Sequence, residues 1–441
     1  MEIKIPNNNI EERIYIIQQL LGDFLSIPFT IEIDERESDY VLNLPNKSFI
    51  IKDAFFSKYK DALSYLSIDN LPIRIEIAMH PALNGLPIIF GEDTFYEDDH
   101  KIVCGIDIFA SAFFMLTRWE EFLLGRENKG KCSEKELLCV KNGYDKRAII
   151  NEYLVWIEKI FRQNHMTVNA NKVFQIKLTH DVDRCYVSSW GELAKNLIPL
   201  AFKQKQYKKA WKTLNNVVRY KFFRIEPFMP FDELMDFSDK HNLKNEFYFK
   251  ACNQGEHGYT YAVEEDRISS TIRHIINRHH IIGFHPSETT FNNDKQYEVE
   301  LERLRSVAGE QVQGGRNHGL YYNMTTFRQW NKHLKFDSGL GYQHRNGFRC
   351  GVCFPFRVFD IYHRQVLDLV EYPFYLMDSV ALRNGWSPKE HFEDAKEVID
   401  VVKKHKGVLC INWHSNQFNA RERRHHKPVY FNIIDYALKN Q

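Results

Sequence analysis

From about residue 170 onward, the chain alternates predicted helices with short apolar runs, and this alternation constrains the fold more than any other feature. Apolar runs separated by helices are typical of parallel strands joined by crossover helices. Each run ends in polar residues, and functional side chains in such folds collect at the carboxyl ends of the strands. The runs with their polar ends are residues 173–183, 245–250, 281–285, 311–316, 336–337 and 408–414. The helices predicted among them are 231–241, 267–279, 297–307, 325–334 and 388–405.

The first part of the chain has a different, mixed pattern. It predicts a smaller α+β domain of unknown function at residues 1–165, followed by a barrel-like α/β domain at 170–441. Within the smaller domain, strands are predicted at 29–33, 73–77 and 87–90, and helices at 107–124 and 148–161. Trp119, Glu120 and Glu121 are interpreted as a polar helix end, with a functional role as the alternative.

Composition excludes several classes of protein. The chain has 59 Lys+Arg against 58 Asp+Glu, so no overall positive field marks it as a nucleic-acid binder. The longest apolar stretch, Ile106–Leu116, is too short to span a membrane, and the N-terminus contains no uninterrupted apolar segment. The eight cysteines are scattered, which suits a reducing compartment, and Cys350-x-x-Cys353 is interpreted as a packing pair. We therefore predict a cytoplasmic protein.

A basic, amphipathic insertion is predicted at about residues 184–229. One interpretation is a helical surface that contacts an anionic substrate or the inner face of the membrane. The other, which we favour, is an insertion packed on the barrel with its basic face in solvent.

Two aspartates and two histidines at strand ends suggest a metal site. Asp181 and Asp183 are two residues apart in a predicted strand, so both carboxylates point to the same side. Two anions that close favour the recruitment of a cation or a shared proton. His285 and His414 end other strands, and Arg316 ends a fourth. Carboxylate and imidazole together suit Zn²⁺ or a similar divalent ion.

Five motifs resemble, in the same order, those of the polysaccharide deacetylase family (carbohydrate esterase family four). They are Thr179–Asp183, Gly283–Ser287, Gly315–His318, Phe336–Tyr342 and Leu409–His414. With the stretch Gly347–Phe356, the chain is similar to a bacterial subgroup in which an uncharacterised N-terminal domain precedes the deacetylase domain. The resemblance covers most of residues 170–441 and, more loosely, 85–121.

This resemblance implies a distorted (β/α)7-type barrel and the metal-dependent hydrolysis of an N-acetyl group from a sugar. It also implies a role for each matching residue: Asp181 as general base, Asp183 and His285 as metal ligands, Arg316 as the residue that holds the base, Asp337 as the acid that steadies this arginine, and His414 as general acid.

One position departs from the family pattern. The family places a second histidine four residues after the first, and Thr289 stands there in this chain. Because a catalytic zinc takes about three protein ligands, we predict His318 as the replacement, with Glu288 and His180 as weaker candidates. Because Thr289 replaces the family's second histidine, an alternative stays open: the protein is an inactive relative that only binds carbohydrate.

The predicted activity is therefore removal of an N-acetyl group from an N-acetylated sugar or glycan, with Zn²⁺ as the expected ion. An intracellular precursor of a surface polysaccharide, carried on a nucleotide or a lipid, fits the predicted location. A deacylase with the same mechanism that acts on a non-sugar amide is a second enzymatic alternative.

Overall fold

The computed structural model describes residues 1–168, 172–185, 229–252, 261–418 and 425–439, together with the single residues 207, 211 and 214. The basic insertion predicted at 184–229 lies almost entirely outside the described residues. Its helical character and its contacts therefore stay predictions.

The described residues form seventeen strands, numbered in chain order. They are β1 (Glu2–Ile5), β2 (Thr30–Ile33), β3 (Tyr40–Asn43), β4 (Ser48–Ile51), β5 (Glu76–Ile77), β6 (Pro87–Ile88), β7 (Gly91–Glu97), β8 (Lys101–Ile106), β9 (Gln175–Val182), β10 (Asn245–Phe249), β11 (Ile281–Phe284), β12 (Gly314–Gly315), β13 (Phe336–Asp337), β14 (Phe356–Asp360), β15 (Gln365–Glu371), β16 (Leu376–Met377) and β17 (Val408–Asn412).

The α-helices of the described residues vary from single turns to more than four turns. They are Ile10–Ile17, Ile108–Thr117, Trp119–Glu121, Glu127–Lys129, Leu138–Lys141, Ile149–Gln163, Phe231–Lys240, Asp266–Asn277, Asp294–Ala308, Met324–His333, Asp378–Asn384, Pro388–Lys404, Ser415–Phe418 and Lys427–Leu438. Two π-helical segments, Gln18–Phe24 and Phe122–Arg126, follow α-helical turns.

The chain divides into two compact units, each made of three segments. The first unit comprises Met1–Gln175, Leu320–Tyr375 and Glu397–Leu409, and the second comprises Ile176–Gly319, Leu376–Lys396 and Cys410–Gln441. The predicted domain boundaries at 165 and 170 stay predictions.

The first unit contains a six-stranded mixed sheet in the order β2-β1-β3-β4-β8-β7. Two pairs, β1 with β2 and β4 with β8, are parallel, and the other neighbours are antiparallel. The same unit holds the antiparallel pair β14 and β15, with β13 parallel to β15. The sequence predicts a mixture of helices and strands for residues 1–165 of this unit.

The helix predicted over 107–124 is interrupted. Asp107 caps its first turn, since the carboxylate accepts a hydrogen bond of 2.9 Å from the backbone N–H of Ala110. Every residue of Ile108–Thr117 is buried. Arg118 then adopts a left-handed conformation with φ of 52°, which ends the regular helix.

The interpretation of Trp119–Glu121 as a polar helix end is wrong. All three side chains are buried, and the Glu121 carboxylate lies 3.0 Å from the guanidinium of Arg118 and 2.5 Å from those of Arg126 and Arg349. Burial of this acid is possible because three arginines surround it. Local polarity could not reveal these partners, because one of them is more than 200 residues away in the sequence.

The strands of the second unit follow the order β12-β11-β10-β9-β17-β16. The pairs β9 with β10, β10 with β11, β11 with β12, and β16 with β17 are parallel. Gly283 allows close packing in β11, because a Cβ there would lie 2.2 Å from the ring of Tyr248. The mixed α/β class is confirmed, and a seven-stranded barrel stays a prediction.

Cys350 and Cys353 are both fully buried, as expected of packing residues. Among the helices in the described part of the chain, none combines the length and apolar character that a membrane crossing needs.

Candidate active site

The candidate site lies at the carboxyl ends of strands in the second unit. Asp181 belongs to the end of β9, and His285 follows β11 directly. Arg316 follows β12, and His414 comes two residues after β17. Parallel strands that share a direction present these ends at one edge of the sheet, so residues far apart in the sequence meet there.

Three of the predicted metal ligands lie together. Asp183, His285 and His318 each offer one ligand atom, and these atoms lie within 4.8 Å of one another. Oδ1 of Asp183 is 3.5 Å from Nε2 of His285 and 3.7 Å from Nε2 of His318. Two imidazoles and one carboxylate form one of the donor sets found in catalytic zinc sites.

His285 is held with one ring nitrogen available to a metal. Its Nδ1 lies 2.6 Å from the backbone carbonyl oxygen of Arg316, which assigns the proton to Nδ1 and the lone pair to Nε2. Nε2 is buried and makes no hydrogen bond with any described residue. A buried acceptor of this kind fits a ligand to a cation.

His318 has a comparable environment on the other side of Asp183. Its Nδ1 lies 3.5 Å from a carboxylate oxygen of Glu288, and its backbone N–H donates to the carbonyl of Pro286 at 3.1 Å. Burial, together with the nearby Lys250 ammonium, lowers the pKa of His318 to about 3. The imidazole is therefore neutral near pH 7, which is the form that binds a metal.

Asp181 is held as an ionised carboxylate. It accepts a hydrogen bond of 2.8 Å from Nη1 of Arg316 and one of 2.9 Å from Nδ2 of Asn412. Arg316 is fixed in turn, since its Nη2 donates to Oγ1 of Thr179 at 2.9 Å. Burial alone would raise the pKa of Asp181, but the Arg316 guanidinium outweighs it and holds this pKa well below its usual range.

His414 is held as an imidazolium beside these carboxylates. Its Nδ1 lies 2.6 Å from Oδ1 of Asp378, and its Nε2 lies 3.8 Å from Oδ2 of Asp181. Burial alone would lower the pKa of His414, but the Asp378 carboxylate, helped by two nearby aspartates, raises it to about 9. The site therefore pairs a base that is ionised at neutral pH with an acid that is protonated there.

Three further candidates are not among the clustered residues. Asp337 is a buried residue of β13 in the first unit, and its predicted support of Arg316 stays a prediction. Thr289 contacts Ser287 through its hydroxyl at 2.7 Å and is not one of the three clustered residues. His180, a weaker ligand candidate, is also outside the cluster, because its ring contacts the carbonyl of Trp413 at 2.9 Å and the side chain of Asn245 at 3.0 Å.

Sequence reasoning missed three residues that contact the site. Asp378 follows the two-residue strand β16, Lys250 follows β10, and Asn412 ends β17. The strand-end rule that identified the other residues applies to all three. Lys250 and Asn412 were in predicted runs without a role, and β16 is too short to produce a recognisable apolar pattern.

Comparison with known proteins gives limited information. A family model described as "Family of unknown function (DUF7033)" matches residues 1–166. The comparison with curated protein sequences found no match. Among solved structures, a chain described as "putative polysaccharide deacetylase from Mycobacterium smegmatis" is 15% identical, with a TM-score of 0.39. The alignment covers 62% of this chain and 87% of that one. A likeness this weak carries no functional argument for this chain.

Proposed function

We propose that this protein is a metal-dependent hydrolase that removes an N-acetyl group from a sugar. The observation that carries the proposal is the grouping of Asp183, His285 and His318 beside an ionised Asp181 and a protonated His414. A cation site next to a base and an acid is what hydrolysis of an unreactive amide needs.

The three clustered residues would hold the ion, and Zn²⁺ suits two imidazoles and one carboxylate. When bound, such an ion supplies a Lewis acid and lowers the pKa of water towards about 7. The reaction as a whole would need the ion, and the two proton transfers would use side chains of the chain itself.

Asp181 acts as the general base in this mechanism. Its Oδ2 accepts a proton from water while the water oxygen forms a bond to the acetamide carbonyl carbon. Arg316 and Asn412 hold the carboxylate in place through contacts of 2.8 and 2.9 Å. Support of Arg316 by Asp337 belongs to the proposal as well.

His414 acts as the general acid. Its Nε2 donates a proton to the amide nitrogen as the carbon–nitrogen bond breaks, which gives a free amine and acetic acid, and the acid then loses its proton to solvent as acetate. Asp378 fixes the ring through Nδ1 and favours its protonated form. After these two transfers, Asp181 carries a proton and His414 lacks one. Passage of a proton from Asp181 to His414 through solvent restores the starting protonation state of both residues.

The substrate class is proposed from the sequence. We propose that the substrate is an N-acetylated sugar attached to a nucleotide or a lipid inside the cell. The positive charge of residues 184–229 would attract the phosphate groups of such a substrate. Vesicle co-sedimentation tests the lipid-linked form. Equal binding to neutral and anionic vesicles would remove the support for a membrane contact.

A second candidate is a carbohydrate-binding protein that works without metal. The ion pair between Lys250 and Asp183, 2.7 Å long, favours this candidate because it already gives Asp183 a positive partner. Metal binding and acetate release separate the two candidates, since the binding protein would show neither.

The test of the proposed activity is acetate release from a panel of N-acetylated sugars by protein of known metal content. We expect Asp181→Asn and His414→Ala each to reduce the rate by at least about 100-fold. Asp239→Asn and His274→Ala are matched controls in exposed ion pairs and should keep the wild-type rate. Release from simple N-acetyl amides but from no sugar would instead indicate the non-sugar deacylase.

A further inference from the structure

Lys250 contacts one of the three proposed metal ligands, Asp183. The residue follows β10 directly, and its Nζ is 2.7 Å from Oδ1 of Asp183. Only 4% of the Lys250 side chain is exposed, so the ammonium is withdrawn from solvent. A lysine buried to this degree needs an anionic partner, because the interior solvates its charge poorly.

The lysine contacts the same oxygen that the metal would use. Oδ1 of Asp183 is also the atom that lies 3.5 Å from His285 Nε2 and 3.7 Å from His318 Nε2. A divalent ion bound between these three atoms would therefore lie within a few ångströms of the ammonium. Two cations this close repel each other strongly in a partly buried site.

The backbone of Lys250 is fixed close to Asp183. Its N–H donates to the hydroxyl oxygen of Tyr261 at 2.9 Å, and that hydroxyl donates to the carbonyl of Val182 at 2.6 Å. Tyr261 thus joins the ends of two neighbouring strands. Relief of the repulsion has to come from the lysine side chain, which must leave Asp183 when a metal arrives.

We propose that Lys250 competes with the metal for Asp183 and so limits the metal affinity of the site. This inference rests on the proposed metal-dependent function and adds regulation of the same site by the concentration of free metal. At low free metal, the ammonium keeps the carboxylate paired. At higher free metal, the ion displaces it and completes the site.

The test is the dissociation constant for Zn²⁺, measured on the full chain by competition with a chromophoric chelator. We expect Lys250→Met to bind Zn²⁺ at least about tenfold more tightly than wild type. The repulsion between an ammonium and a divalent ion a few ångströms apart in a protein is worth more than a tenfold change in affinity. Lys250→Arg retains the cation and should stay within about threefold of wild type.

Lys177→Met is the matched control. Lys177 belongs to the same unit, is also largely buried, and pairs with Glu246 rather than with a clustered residue. Its replacement should leave the Zn²⁺ dissociation constant unchanged. Lys250→Gln provides a second neutral variant if Lys250→Met does not yield folded protein.

Thermal unfolding provides a readout independent of activity. Addition of Zn²⁺ should raise the Tm of Lys250→Met by more than it raises that of wild type. Equal or weaker Zn²⁺ binding by both neutral variants would overturn the role of Lys250 and leave the proposed function intact. Absence of Zn²⁺ binding in every folded variant, wild type included, would overturn the metal site itself.

Discussion

Nδ1 of His414 lies 2.6 Å from Oδ1 of Asp378, and this contact directs Nε2 of the same ring towards the carboxylates of Asp181 and Asp183. Asp378 therefore sets both the orientation and the charge of the imidazole. The side chain of His414 is 16% exposed, so the ring is not fully closed off from solvent.

Replacement of Asp378 should change the pH dependence of the reaction. Asp378→Asn removes the carboxylate that raises the pKa of His414 to about 9. Since the reaction needs protonated His414, the alkaline limb of kcat/KM should move to lower pH by about one unit or more. Acetate release measured across the neutral and alkaline range checks this shift. An unchanged alkaline limb would mean that His414 is not the group that titrates there.

His318 and Thr289 should differ sharply in their effect on metal binding. His318→Ala removes one of three clustered ligand atoms, so we expect the Zn²⁺ dissociation constant to rise at least about 100-fold. Thr289→Ala is the control and should leave it unchanged, because Thr289 is outside the cluster. Equilibrium dialysis with metal analysis measures both. A similar loss of Zn²⁺ affinity in His318→Ala and Thr289→Ala would argue against His318 as a ligand.

Arg316 should be needed to balance the buried charge of Asp181. Arg316→Gln leaves that carboxylate without its guanidinium partner, and we expect the free energy of unfolding to fall by about 3–5 kcal/mol. The double variant Asp181→Asn/Arg316→Gln should recover part of this loss, since the unpaired charge is then absent. Urea unfolding of metal-free wild type, of Arg316→Gln and Asp181→Asn, and of the double variant measures these changes. Strictly additive losses would contradict a direct charge pair.

In the first unit, Glu121 should be a major determinant of stability. Glu121→Gln removes the negative charge that three buried arginines share. We expect the free energy of unfolding to fall by about 3–5 kcal/mol. Glu97→Gln, which breaks an exposed pair with Lys47, should cost no more than about 1 kcal/mol. Equal effects of the two substitutions in urea unfolding would contradict the importance of the buried cluster.

The pair Cys350 and Cys353 should be chemically inert in the folded protein. Burial raises the pKa of Cys353 to about 12 and that of Cys350 well above its usual range, so the reactive thiolate is scarce. Iodoacetamide labelling followed by peptide mass spectrometry should modify the half-buried Cys132 before either of them. Rapid labelling of the pair in native protein would instead support a redox or metal-binding role.

The sequence predicted much of the candidate site because one local rule applied repeatedly. Polar residues after apolar runs identified Asp181, Asp183, His285 and His414, and the structure brings these four side chains together. His318 was found by a different argument, from the missing ligand at the family's usual position. The assigned roles of these residues stay predictions.

The parts that sequence reasoning missed depend on long-range contacts. Asp378 has no local signal, because β16 contains only two residues and the partner His414 is 36 residues away. The buried environment of Glu121 depends on Arg349, 228 residues further along the chain. Local patterns describe which faces are apolar, but they do not record which charged groups will meet after folding.

The most direct test of the central claim is acetate release from N-acetylated sugars by metal-free protein, before and after addition of one equivalent of Zn²⁺. We predict no release without metal, release on addition of Zn²⁺, and none from Asp183→Asn under the same conditions. Release that persists after complete metal removal, or that is retained by folded Asp183→Asn, would contradict the account.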